Sequence, residues 1–146
     1  MFTWLMGAWL FYHFVAVSYY YFGTETSTPA ALENYLNHSL YVVDIGQYLG
    51  AAGPVFIITY GGITMLMILI TLYLEMGRTA RYAINRDFKG SQYDLYGSIF
   101  LLVVCSVELF FVPIAATSIF VILLFACVMD VLTHVRFLHH FIGRGR

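Results

Sequence analysis

The stretch LYGSIFLLVVCSVELFFVPIAATSIFVILLFACVM, residues 95–129, decides the fold. It runs 35 residues with one ionisable carboxylate, Glu108. As a single helix rising 1.5 Å per residue it would be about 52 Å long. A bilayer's hydrocarbon core is about 30 Å thick, so the stretch is too long for one crossing. Pro113 stands near its centre, and proline is well tolerated at the first position of a helix. The sequence therefore predicts two helices joined by a very tight turn.

Working outward, the rest of the chain reads the same way. Residues 1–22 carry no charged side chain, and a second apolar run extends from Tyr48 to Leu74. Hydrophobic residues make up 61% of the 146 and charged ones 10%, against about 45–50% and about 25% in soluble domains. The predicted fold is all-α: a single integral-membrane domain over 1–146, with four transmembrane helices at about 2–21, 48–74, 95–111 and 114–134. Trp4 and Trp9 toward one end of the first span and Tyr19-Tyr20-Tyr21 at the other fit interfacial anchors. That span lacks the basic start and small-residue cleavage site of a signal peptide, so it reads as retained. Pro54 should kink the second span, and Gly61-Gly62 should soften its middle.

Charge sets the expected orientation. The loop 23–47 holds Glu25, Glu33 and Asp44 and no lysine or arginine, whereas 75–94 holds Arg78, Arg81, Arg86 and Lys89. The tail holds Arg136, Arg144 and Arg146. Four spans put the basic loop and tail on one side, as the positive-inside rule asks, with both termini inside. Within the first loop, Pro29 can start a helix, and Leu32, Tyr35, Leu36 and Leu40 recur at helical spacing. A short amphipathic surface helix is expected there.

Three ionisable residues fall at membrane depth: His13, Glu108 and Asp130. Charge is costly there, so each is a functional candidate for a proton or ion site. Each also has a structural reading. His13 can hydrogen-bond a neighbouring helix, Glu108 can bond a carbonyl freed near Pro113, and Asp130 can pair with His134 one turn on. A lone histidine cannot form a bis-histidine haem site, so a haem would need a ligand from a partner subunit, and no cofactor is predicted. His134, His139 and His140 show no established ligand spacing, and no metal site is predicted. Arg136, Arg144 and Arg146 suit anionic lipid headgroups. Gly46, Gly50 and Gly53 form a small-residue face for helix packing. Cys105 and Cys127 read as small buried hydrophobes.

Phosphate loops, nucleophile elbows, HExxH and CxxC motifs and channel-filter sequences are all lacking, and a net charge of −1 gives no case for nucleic acid. No catalytic residue is assigned. The expected function is an accessory subunit in a hetero-oligomeric assembly of an energy-transducing inner membrane, mitochondrial or bacterial. The alternative is a homo-oligomeric channel or small transporter with Glu108 in its path.

Overall fold

The computed structural model describes residues 3–22, 28–44, 55–112 and 116–144. Among these residues, five helices and one two-stranded antiparallel sheet occur in the order α1 (Leu5–Phe22), α2 (Pro29–Leu36), β1 (Ser39–Asp44), β2 (Val55–Thr59), α3 (Tyr60–Asn85), α4 (Phe88–Phe111) and α5 (Ser118–Arg144). Among the described residues, three helices are long and apolar enough to cross a membrane: Tyr60–Asn85, Phe88–Phe111 and Ser118–His140. α1 packs beside α3 and α5, with Leu5, Ala8, Tyr12, Val15 and Tyr19 buried along one helical face.

The helices are turned inside out relative to a soluble bundle. On α3 the buried residues are Gly61, Thr64, Ile68, Thr71, Glu75 and Thr79. On α4 they are Ser91, Asp94, Ser98, Leu101 and Cys105. Large apolar side chains point outward instead: Tyr73 is 76% exposed, Phe111 79% and Phe110 81%. Such a surface in water would be a broad aggregation-prone patch, whereas in lipid it is the expected solvent face. The buried threonines satisfy their hydroxyls on their own helix, Thr64 donating to the Tyr60 carbonyl and Thr71 to that of Met67.

The second span departs from its predicted bounds of 48–74. Val55–Thr59 is a strand, antiparallel to β1 with Val42 opposite Ile57 and Asp44 opposite Val55. Its run of β-branched and aromatic residues favours extended backbone. The helix starts only at Tyr60, where the Thr59 hydroxyl accepts from Gly62 N at 2.9 Å. Gly61-Gly62 therefore stands in the first turn of α3, not its middle. Pro54 lies outside the described residues.

The predicted basic loop 75–94 is also mostly helix. α3 continues to Asn85, and Arg86 closes it in the left-handed region at φ 53°. Asp87 then caps α4, accepting from Gly90 N at 2.9 Å. The division of residues 95–129 is as expected in kind, since α4 ends at Phe111. The final helix begins at Ser118, however, so Pro113 is not its first residue. The Thr117 hydroxyl accepts from Phe120 N at 3.3 Å and caps that helix.

The first-loop helix is α2, with Thr28 as its cap. Leu32 and Leu36 are fully buried, so it is docked on the bundle, and Leu40 belongs to β1. Docking depends on Gly61. A Cβ there would lie 2.6 Å from Ile119 Cδ1 and 3.1 Å from the Leu36 carbonyl oxygen. The isoleucine tip can move, but the backbone oxygen cannot move freely. Gly61→Val should cost about 1–3 kcal/mol through overpacking. Gly77→Ala, where nothing lies within 4 Å, should not destabilise the protein. Thermal melts of both variants in the same micelles check the contrast.

Candidate functional site

Two polar clusters sit inside the helical layer. The first joins α1 to α4. Glu108 accepts from Trp9 Nε1 at 2.9 Å through Oε2, while Oε1 lies 3.1 Å from His13 Nε2. The other imidazole nitrogen of His13 is 2.9 Å from the Trp9 carbonyl, an acceptor, so Nδ1 carries a proton. Trp9 and His13 are one turn apart, and their rings are in tilted contact with centroids 4.4 Å apart. His13 and Glu108, separate candidates in the sequence, thus form one unit. It is not sealed: the two side chains are 31% and 20% exposed.

The second cluster lies toward the other end, with its carboxylates and His134 enclosed and Arg78 partly open. Arg78 on α3 is ion-paired with Glu75 one turn earlier and with Asp94 of α4, the latter at 2.9 Å from Nε. The Tyr82 hydroxyl donates to the same Asp94 oxygen. Glu75 also accepts from the Trp4 backbone N–H at 3.3 Å, which ties in the start of α1. On α5, Asp130 accepts from the Ser98 hydroxyl at 2.5 Å and faces His134 Nδ1 at 3.4 Å. His134 Nδ1 also lies 3.0 Å from the Asp130 carbonyl, and Nε2 lies 3.4 Å from the Thr79 hydroxyl. Glu75, Asp94 and His134 have no exposed surface, and Asp130 has 3%.

One ligand-capable atom from each of Glu75, Asp130 and His134 falls within 4.8 Å of the other two. Sequence reading found Asp130 with His134 but missed Glu75, Arg78 and Asp94, which were read as loop. The available signal was spacing. Thr71, Glu75, Thr79 and Tyr82 repeat every three or four residues, with no proline to end the helix.

The remaining predicted residues are dispersed. Arg136 is exposed on α5, away from both clusters. The Arg144 side chain, Arg146 and the glycines Gly46, Gly50 and Gly53 lie outside the described residues. Cys105 and Cys127 are free and buried. Comparison with protein-family models, curated proteins and solved structures yields no match.

Removing Arg78 would leave Glu75 and Asp94 buried without their guanidinium. Breaking a buried ion pair from one side costs about 3–5 kcal/mol. Arg78→Ala should therefore destabilise the chain by that amount, and by more than Arg136→Ala, whose side chain is exposed. Unfolding titrations of the two variants in mixed micelles give the comparison.

Proposed function

We propose that the protein is a non-catalytic integral-membrane subunit of a larger membrane complex, of the energy-transducing respiratory kind. The observation that carries this reading is the half-open His13–Glu108 pair on an otherwise apolar exterior. A polar pair at membrane depth is costly against hydrocarbon, and a neighbouring helix removes that cost. An apolar groove of about 380 Å³ lies beside it, lined by Tyr12, His13, Ala16, Val17, Tyr20 and Val112 among others. The exposed aromatic faces of α3 and α4 offer further packing area.

In this reading α1 is the fourth crossing. Its 18 residues span about 27 Å, and the Trp4–Glu75 contact sets it antiparallel to α3. The α3–α4 turn, with Arg81, Arg86 and Lys89 near it, and the end of α5 then share the inner side with the N-terminus. α2 and the two-stranded sheet, carrying Glu33 and Asp44, lie outside. The basic residues Arg136, Arg144 and Arg146 meet anionic headgroups there on the inner face.

Both Glu108 oxygens already have partners in Trp9 and His13, which supports an anchoring role over a conducting one. Native mass spectrometry of the particle extracted gently from its own membrane tests the proposal. The expected result is a mass far above the 16.6 kDa chain, made of different subunits, with Glu108→Gln weakening retention of the neighbour. A closed ring of identical copies, whose ion or proton flux in vesicles is abolished by Glu108→Gln, would replace this reading with the channel.

A further inference from the structure

We infer that Glu75, Asp130 and His134 form a buried site for a divalent transition-metal cation that ties α3 to α5. The donor atoms already converge, all within 4.8 Å of one another and screened from solvent. Asp130 and His134 stand at i and i+4, so both project from one face of α5 toward Glu75 on α3. Carboxylates and a histidine one turn apart, facing another helix, are how helical bundles build metal centres.

Charge leads to the same occupant. The cluster comprises three carboxylates, Glu75, Asp94 and Asp130, and one guanidinium, Arg78, which pairs with Glu75 and Asp94. With neutral His134 the cluster carries two uncompensated negative charges away from water. A divalent cation offsets both, and three donors are in place to hold it.

Hydrogen bonding sets the imidazole for that task. Nδ1 faces the Asp130 carbonyl at 3.0 Å, so it carries the proton. The Thr79 hydroxyl donates to the Glu75 carbonyl at 3.1 Å and offers Nε2, 3.4 Å away, only a lone pair. A cation at Nε2 displaces whatever proton that nitrogen carries, while the Nδ1–H bond to a backbone carbonyl holds the ring as in established metal sites. Ser98 on Asp130, and Arg78 with the Trp4 N–H on Glu75, orient the carboxylates from behind.

A separate observation lies on the carboxylate that shares Arg78 with Glu75. Asp94 Oδ1 is buried without a hydrogen-bond partner, although Oδ2 is engaged by Arg78 and Tyr82. Such an orphaned acceptor shows that the hydrogen bonds within the cluster leave part of its negative charge uncompensated. A mixed imidazole and carboxylate set favours zinc, manganese, iron or cobalt over calcium or magnesium, which take oxygen donors.

The test uses the full chain in detergent micelles, stripped with a chelator and titrated with Co²⁺, then Zn²⁺. The site predicts one equivalent of Co²⁺ per chain with visible ligand-field bands, displaced by Zn²⁺, and a higher melting temperature with metal. His134→Gln and Asp130→Asn should each weaken binding about tenfold or more, while Glu108→Gln leaves it unchanged. Folded wild-type chain that takes up no Co²⁺ or Zn²⁺ would overturn the inference, leaving protons to offset the charge. Undiminished binding in both His134→Gln and Asp130→Asn would overturn it equally, by placing the metal elsewhere.

Discussion

The Arg78 guanidinium, held between Glu75 and Asp94, is the interaction on which the rest of the bundle depends. A single cation on α3 fixes a carboxylate of its own helix and one of α4. Trp4, just before α1, completes Glu75, and Ser98 links α4 to Asp130 on α5. Four helices thus meet through one polar knot. In a bilayer the hydrophobic effect does not separate helix from lipid, so hydrogen bonds and close packing must supply the specificity. The knot supplies it at one end. At the other, Tyr12 with Thr117 at 2.8 Å, and Gly61 against Leu36 and Ile119, hold α1, α2, α3 and α5 together.

This division explains why small polar residues line the buried faces of α3 and α4 while most large aromatic side chains lie outside, Tyr12, Tyr19 and Phe120 excepted. Threonine and serine let helix backbones approach and satisfy their hydroxyls on the preceding turn. Phe110, Phe111 and Tyr73 have no comparable place in the interior and cover the periphery. The His13–Glu108 pair is the departure from the pattern, being polar yet partly open. Under the proposed function, that opening is where a neighbouring subunit makes contact.

Much of the fold was legible in the sequence because hydropathy alone reports apolar helices. The break within 95–129 follows from length against bilayer thickness, and Pro29 with Leu32 and Leu36 marks α2. The start of α3 was not legible as such. Val55-Phe56-Ile57-Ile58-Thr59 is apolar enough to extend a span, and only its pairing with Ser39–Asp44 makes it a strand. Charged residues at 75–94 read as loop because charge in a membrane chain ordinarily marks water. Burial of Glu75 and Asp94 is sustained by partners far apart in sequence, which spacing does not reveal. His13 and Glu108 were each singled out for depth, but their union depends on how α1 lies against α4.

The most direct measurement is a cysteine-accessibility scan along α3 in native membranes, on a background with Cys105 and Cys127 replaced. Leu66, Leu69, Tyr73 and Met76 point outward, whereas Arg81 and Ile84 are exposed further along the helix than the Glu75–Arg78 pair. The account predicts that the first four positions resist a water-soluble maleimide and quench with a lipid-borne probe, and that Arg81 and Ile84 react freely. Uniform reaction along the whole outer face, Leu66 and Tyr73 included, would contradict a helix that crosses lipid with its polar knot at the inner boundary.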